Sequence, residues 1–300
     1  IRTGQQIIVS AMEHHSNLIP WQELCQRTGA VLTILHMDRN CDLDLTQLGQ
    51  LLERDTALVA VTWVSNVLGT VNPVGEITMM SHAAGAMTVI DGAQAMKLPE
   101  IDVTAVDCDF LTFSGHKLGA LTGIGVLYGK NNILSQLPPV RFGGGMIRES
   151  QYAASSYGGV PQRFEAGTPN YVGAISLGCA MEYLQSVGRI ELAQQEQILT
   201  DLLRKELAAI PEVTVIGTPS RRCGVVSFVV PGIHPFDLGA MLDSQGIAVR
   251  TGHLCAQPLV NQLGYDSVIR VSPAFYNTEQ EILGFISALK RTIPLLKGEW

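Results

Sequence analysis

The sequence predicts an α/β protein: a large domain with a mainly parallel sheet covered by helices on both faces, and a smaller α+β domain at the C-terminal end. Two observations lead to this prediction. Through the first 130 residues, short β-branched apolar runs alternate with segments of helical spacing, the pattern of successive βαβ units. One long helical segment ends and another begins near residue 187. We therefore predict two domains, residues 1–187 and residues 188–300.

Five segments of the first half are near-continuous apolar runs, as expected for strands that are covered on both faces. They are QQIIVSAM, AVLTIL, ALVAVTWV, AMTVID and DFLTFS. Three segments between them have helical spacing: SNLIPWQELCQRTG, DLTQLGQLLER and EITMMSHAAG. The first and third end on a glycine, a common helix terminator.

In the second half, the predicted helices and strands alternate less regularly than in the first. Residues 131–170 are rich in Gly, Pro and Ser, which predicts long surface connections, a frequent place for function. Four helices are predicted from AISLGCAMEYLQSVG, IELAQQEQILTDLLRKELAAI, PFDLGAMLDSQG and NTEQEILGFISALKRTIPLL. Three strands are predicted from VTVIG, GVVSFVV and GIAVR.

The composition argues against several classes of function. The net charge is −7 and Lys and Arg form no runs, which disfavours nucleic acid as a partner. No apolar run approaches the roughly eighteen residues of a membrane helix. The six cysteines form no CxxC pair, so we expect no metal site and free thiols in a reducing compartment, the cytoplasm. The first residues show no secretory signal.

A carboxylate and an amine follow neighbouring predicted strands. Asp91 ends TVID, and Lys117 comes just after FLTFS in the turn SGHK. Because ligands bind at the carboxyl ends of parallel strands, both groups are expected at one crevice. A pyridoxal phosphate site needs such a pair, since a lysine holds the aldehyde and a carboxylate keeps the pyridine nitrogen protonated. A salt-bridged Asp and an ordinary surface Lys would give the same spacing.

Cys255 lies on a loop, in GIAVRTGHLCAQPL, with Arg250 and His253 before it. A loop thiol near cationic groups is a candidate reactive thiolate. Free cysteines are more often inert and buried, and that interpretation suits the three that lie within apolar segments, Cys25, Cys179 and Cys223.

Several motifs together resemble one family. SGHK after DGAQ, then RFEAGTPN, RTGHLCAQPL and RVSPAFYNT are similar to the group II, Suf-type cysteine desulfurases and their relatives, the selenocysteine lyases and cysteine sulfinate desulfinases. The resemblance covers essentially the whole chain. It implies a class V aminotransferase fold, a fold-type I pyridoxal phosphate enzyme with a mainly parallel, seven-stranded type of sheet, acting as a homodimer.

The resemblance also implies roles for cofactor-binding residues. Lys117 would hold pyridoxal phosphate and later move protons at the substrate α-carbon, and Asp91 would pair with the pyridinium. His14 would stack on the ring and assist proton transfer. Asn66 and Gln94 would hydrogen-bond the phenolic oxygen of the ring.

Further residues would bind the phosphate and the substrate. Ser114 and His116 would hold the phosphate, and Thr168 would reach it from the neighbouring subunit. Arg270 would clamp the substrate carboxylate through a bidentate pair, with Arg250 as a second anion contact.

The implied reaction converts L-cysteine to L-alanine. The Cys255 thiolate would attack the substrate sulfur and keep it as a persulfide, which then passes to an acceptor protein for iron–sulfur cluster assembly. Selenocysteine could replace cysteine as the substrate.

Three features depart from the family pattern. Leu254 stands where the family has a His before the cysteine, so the tuning of the Cys255 thiol is unsettled. Gly119-Ala120-Leu121 replaces a segment that ends in proline, which predicts a looser Lys117 loop. Members of the family also extend further at the N-terminus, where a phosphate-binding turn opens a helix, so we expect weaker cofactor retention here.

Two other interpretations stay open. The chain could be a truncated homologue without turnover that acts as a dimer partner or occupies an acceptor protein. It could also keep the cofactor but catalyse another class V reaction, such as transamination or epimerisation, with Cys255 idle.

Overall fold

A computed structural model describes residues 1–298 and contains a six-stranded sheet. Its strand order is β2-β1-β3-β4-β5-β6. The first five strands run parallel, and β6 pairs antiparallel with β5. The strands are β1 (Gln6–Ser10), β2 (Val31–Leu35), β3 (Thr56–Thr62), β4 (Met87–Asp91), β5 (Phe110–Ser114) and β6 (Gly125–Gly129).

The predicted α/β class and the five strands β1 to β5 are confirmed. Within residues 1–298 the sheet has six strands, where the family resemblance implied seven. The edge strand β6 was not predicted, because GVLYG is short, glycine-bounded and half exposed. It forms by pairing with β5, which a local pattern does not reveal.

Helices occupy the crossovers between these strands, and the three that follow β1, β2 and β3 were predicted from their spacing. They are α1 (Ile19–Thr28), α2 (Leu45–Leu51), α3 (Val74–Ala83) and α4 (Val103–Val106), and α5 (Asn131–Leu134) follows β6. In α1, Pro20 lies in the first turn and Gly29 ends the helix at φ +73°, the usual chemistry of the two helix ends.

The glycine-rich segment 131–170 is not only a connection. It contains a hairpin of β7 (Ile147–Ser150) and β8 (Ser155–Tyr157). The segment was predicted only as long surface connections, and the hairpin within it was not predicted. The strands are three and four residues long and mostly exposed, so no buried face marks them in the sequence.

The C-terminal part is a four-stranded antiparallel sheet packed on helices, with strand order β11-β12-β10-β9. Its strands are β9 (Thr214–Val215), β10 (Val226–Val229), β11 (Arg250–Gly252) and β12 (Val268–Val271). Its helices are α6 (Tyr171–Val187), α7 (Arg189–Ala208), α8 (Pro235–Asp243), α9 (Gln257–Gln262) and α10 (Glu279–Lys297). The strand predicted from GIAVR was misplaced, because only Arg250 of that segment pairs. Neither α9 nor β12 was predicted.

Three cores hold residues 1–298 together. The main core packs around β1, β3 and β4 and also takes in Leu254 and Leu259 from the C-terminal part. A second core surrounds Phe228 and joins α7, α8 and α10 to the small sheet. A third, smaller core packs α1 against β1 and β3. The main core contains residues from both sides of residue 188. The division into two domains at that residue stays a prediction. None of the helices in residues 1–298 has the length and apolar character to cross a bilayer.

Candidate active site

The carboxyl ends of β4 and β5 open onto one cavity. Asp91 is the last residue of β4 and Ser114 is the last of β5. Lys117 follows in a 3-10 turn, Gly115–Leu118. Asp91 and Lys117 both line a single cavity of about 1210 Å³, because parallel strands end at the same edge of the sheet. The structure thus brings the two predicted groups together.

Seven of the predicted site residues line this cavity: His14, Asn66, Asp91, Gln94, Ser114, His116 and Lys117. Thr168 is exposed ahead of α6 and is not among the lining residues. A smaller cavity, about 610 Å³, adjoins the first, since His116 and Lys117 line both.

The turn that carries Lys117 depends on a glycine. A Cβ on Gly115 would lie 2.7 Å from Ile124 Cγ2, and the Gly115 amide donates to the Ile124 carbonyl at 2.9 Å. Burial lowers the pKa of Lys117 more than the negative charge of Asp91 raises it. A larger fraction of the amine is therefore neutral near pH 7 than for an exposed lysine.

His14 caps the 3-10 turn His15–Asn17. Its Nδ1 accepts from the Ser16 amide at 3.1 Å, so in the neutral ring the proton is on Nε2. Burial lowers the pKa of His14, and the charge of Lys117 lowers it further. A larger fraction of the ring is therefore neutral near pH 7 than for an exposed histidine.

Asn66 joins the cavity to the cysteine loop. Its Nδ2 donates to the Leu254 carbonyl at 2.7 Å, and its own carbonyl accepts from Arg270 Nη1 at 2.9 Å. A contact between Asn66 and a cofactor oxygen stays a prediction. Because Leu254 directly precedes Cys255 and Asn66 lines the cavity, the hydrogen bond between Asn66 and Leu254 places the cysteine loop beside the cavity.

Arg270 and Arg250 are register partners on neighbouring strands. Arg270 Nε is buried and has no hydrogen-bond partner among residues 1–298. Burial lowers the pKa of Arg270, and the charge of Arg250 lowers it further. Like charges in register destabilise a sheet. An anion bound between the two arginines would reduce their repulsion and could accept a hydrogen bond from Arg270 Nε.

Cys255 is exposed, at φ +57°. Among the three cysteines expected to be buried and inert, Cys25 is buried and Cys223 is partly buried, with burial raising the pKa of Cys223 to about 12. Cys179 is exposed on α6, so its predicted burial was wrong. Its apolar neighbours in sequence occupy a helix face that is largely open.

Two of the departures from the family pattern have visible consequences. The Leu254 side chain is buried in the main core, where it anchors the loop rather than tuning the thiol. The Leu121 amide donates to Ser176 Oγ on α6 at 2.9 Å, a bond that a proline could not make. Gly119 has φ +92° and ends the Lys117 turn.

The structure adds two residues beside His14 that the sequence did not single out. Glu13 is buried and accepts hydrogen bonds from Ser10, Asn17 and the Thr62 amide. His15 contacts the cysteine loop. Both residues adjoin His14 in the sequence, but the family resemblance implies a role only for His14.

The residues around the cavity fit pyridoxal phosphate. A buried carboxylate suits the ring nitrogen, an amine of lowered pKa suits the aldehyde, and Ser114 and His116 offer polar groups to a phosphate. The cavity exceeds the roughly 300–1,000 Å³ of ordinary small-molecule sites, so it has room for the ring and a substrate.

Comparisons with known proteins agree with this geometry. The aminotransferase class-V family matches residues 1–285. Curated relatives named cysteine desulfurase, from Cronobacter sakazakii and Dickeya dadantii, are both 46% identical over 297 and 294 residues. These alignments cover 99% and 98% of this chain and 73% and 71% of the relatives.

Solved structures give the same result. The cysteine desulfurase CsdA from Escherichia coli superimposes with a TM-score of 0.94 at 34% identity, covering 99% of this chain and 74% of that one. The apo cysteine desulfurase from Thermococcus onnurineus NA1 gives 0.94 at 37%, with the same coverage.

This chain belongs to the class-V aminotransferase family. Within that family, the similar proteins described above are named cysteine desulfurases. The resemblance inferred from the motifs is thus confirmed, while the Suf-type subgroup stays a prediction.

Proposed function

We propose that this protein is a pyridoxal phosphate-dependent cysteine desulfurase that forms a persulfide on Cys255. The observation that supports the proposal most directly is the shared cavity of Asp91 and Lys117 together with the Asn66 hydrogen bond to the Cys255 loop. The names of the relatives in two bacterial genera point to the same activity.

The residues of the cavity divide the tasks between them in this proposal. Lys117 would hold the cofactor and move protons at the substrate α-carbon, Asp91 would hold the ring nitrogen, and His14 would cover the ring. The bound cofactor supplies an electron sink to the substrate. Arg270 and Arg250 bind the substrate carboxylate, consistent with an Arg270 Nε that has no hydrogen-bond partner within the described residues 1–298. Guanidinium geometry suits such bidentate pairing.

Gln94, Asn66, Ser114 and His116 complete the cofactor site. Thr168 is exposed in its own chain, and we propose that it reaches the phosphate of a second copy, so that a homodimer completes two sites.

Sulfur transfer takes place at Cys255. Its thiolate attacks the sulfur of L-cysteine, a sulfur–sulfur bond forms, and the substrate carbon–sulfur bond breaks. The electron pair of the broken bond goes to the β-carbon, which takes up a proton and becomes the methyl group of alanine. The persulfide on Cys255 then passes to an acceptor protein for iron–sulfur cluster assembly. Selenocysteine would react in the same way.

One observation favours a second candidate. Cys255 is exposed and is not among the residues that line the large cavity. A different class V reaction, such as transamination, would leave this thiol idle.

Three variants distinguish these candidates when alanine, sulfide and the cofactor absorption band are measured after L-cysteine is added. Cys255→Ala should keep the band and lose alanine and sulfide formation, because the nucleophile is gone. Lys117→Ala should lose the normal band. Cys179→Ala removes the other exposed thiol and should match the wild type. Alanine formation by Cys255→Ala at the wild-type rate would refute desulfuration through Cys255.

A further inference from the structure

The segment after β1 holds the cysteine loop through His15. The His15 amide donates to the Cys255 carbonyl at 2.7 Å. The His15 imidazole Nε2 accepts from the Gln257 amide at 3.1 Å. His15 therefore contacts the backbone of both Cys255 and Gln257, although it lies more than two hundred residues earlier in the chain.

The loop between these contacts has an unfavourable backbone conformation. Leu254 and Cys255 have φ +56° and +57°, and a non-glycine residue in this left-handed region costs on the order of 1–3 kcal/mol. Such a conformation persists only where the surroundings hold it. Before the thiol, the loop is held by the buried Leu254 side chain and by Asn66 Nδ2 on the Leu254 carbonyl. After the thiol, it is held by His15.

We propose that His15 is a positioning residue that keeps the Cys255 loop in its left-handed conformation and so presents the thiol toward the substrate sulfur. The proposal rests on the function proposed above, because it takes Cys255 as the nucleophile. His14 lines the cofactor cavity and His15 contacts the cysteine loop. The consecutive residues His14 and His15 therefore connect the cofactor cavity to the loop that carries the thiol.

The side-chain contact requires a hydrogen-bond acceptor at the end of residue 15. Because Nε2 accepts from an amide, in the neutral ring the proton is on Nδ1. A glutamine side chain has a carbonyl oxygen at a similar distance from the backbone and can accept the same hydrogen bond. A leucine of similar bulk cannot. The pair His15→Leu and His15→Gln therefore tests the acceptor at nearly constant side-chain volume.

The experiment uses the pyridoxal phosphate-loaded protein and two readouts. Hydrogen exchange of the segment 253–259, followed by mass spectrometry, reports the loop directly. We expect His15→Leu to speed exchange there by about tenfold, since one hydrogen bond that orders the loop is lost. The turnover number for alanine formation should fall by a similar factor, with the cofactor band and the KM for L-cysteine nearly unchanged. His15→Gln should recover most of both losses.

His36→Ala is the matched control, because His36 is an exposed histidine on the loop after β2. It should leave exchange and turnover at wild-type values. If His15→Leu does not fold, as judged by circular dichroism, His15→Ala replaces it in the comparison with His15→Gln.

The two proposals fail in different ways. Unchanged exchange in the folded His15→Leu protein overturns the role of His15, whatever the activity. Faster exchange with wild-type turnover also overturns it, while desulfuration stands. If Cys255→Ala keeps wild-type alanine formation, the proposed function fails and the positioning role of His15 in catalysis fails with it, even though the loop contact itself is real.

Discussion

At the scale of single residues, the carboxyl group of Glu13, close to the site, has an unusually high pKa. It is buried next to His14, and it accepts from Asn17 Nδ2 at 2.6 Å and from the Thr62 amide at 2.8 Å. These bonds lower the pKa of Glu13, but burial raises it further, to about 8. The nearby charge of Asp91 adds to the increase. Glu13 is therefore mostly protonated in the folded protein near pH 7.

This pKa makes the stability of the protein depend on pH. The pKa of Glu13 is higher in the folded state than its ordinary 4.5, so the folded state binds the proton more tightly than the unfolded state. The stabilisation is fully present below the unfolded pKa and is lost as the pH rises through about 8. We expect Glu13→Gln to reduce the fall in the free energy of unfolding as the pH rises through about 8. Urea unfolding from about pH 6 to about pH 9 measures it.

Glu23→Gln provides the control, because Glu23 is exposed on α1. It should retain the wild-type slope of unfolding free energy against pH. Equal slopes for the wild type and Glu13→Gln would contradict the assignment of a buried, protonated carboxyl.

At the scale of secondary-structure elements, the Lys117 turn decides whether the site can form. The turn is bounded by Gly115, which packs against Ile124, and by Gly119 at φ +92°. The Leu121 amide fastens the following segment to α6 through Ser176. The sequence predicted the strand before the turn but suggested a looser loop, because a hydroxyl on a distant helix is invisible in the local pattern.

Gly115→Ala should destabilise this turn. The new Cβ would lie 2.7 Å from Ile124 Cγ2, a clash that must be relieved by a shift costing roughly 1–3 kcal/mol. We expect weaker cofactor binding, measured by titration of the apoprotein with pyridoxal phosphate, and a lower unfolding midpoint.

The double variant Gly115→Ala with Ile124→Ala removes the clashing methyl group and should recover part of the cofactor affinity. Gly144→Ala is the control, since a Cβ there has open space within 4 Å. If Gly115→Ala binds the cofactor as tightly as the wild type, the turn tolerates a side chain and this account of it is wrong.

At the scale of the whole molecule, the loop after β3 joins the two sheets. Asn66 bonds the Leu254 carbonyl and accepts from Arg270, and Ser227 Oγ on β10 donates to the Val67 carbonyl. The main core crosses the same boundary through Leu254. The cysteine loop is therefore held by the large sheet as well as by its own strands.

Asn66→Ala should weaken this connection. It leaves the Leu254 carbonyl without its donor, and an unsatisfied buried group costs about 1–3 kcal/mol. We expect a lower free energy of unfolding in urea and faster hydrogen exchange in the cysteine loop. Asn261→Ala, on the exposed face of α9, should change neither quantity. An unchanged unfolding curve for Asn66→Ala would show that this hydrogen bond contributes little.

The sequence by itself determined the alternating strands and helices of the first half and the position of Asp91 and Lys117 at strand ends. Apolar periodicity is local, and parallel strands always end at one edge, so both follow from short stretches of chain. The motifs were also sufficient to identify the family.

Only the tertiary structure decided the arrangement around Cys255. The bonds from His15 and Asn66 join residues far apart in sequence and use backbone amides and carbonyls, which every residue except proline carries as a pair. The short strands β6 to β8, β11 and β12 likewise form by pairing with neighbours. No residue type marks such partners in advance, because a backbone hydrogen bond depends on where the chain lies and hardly on which side chain it bears.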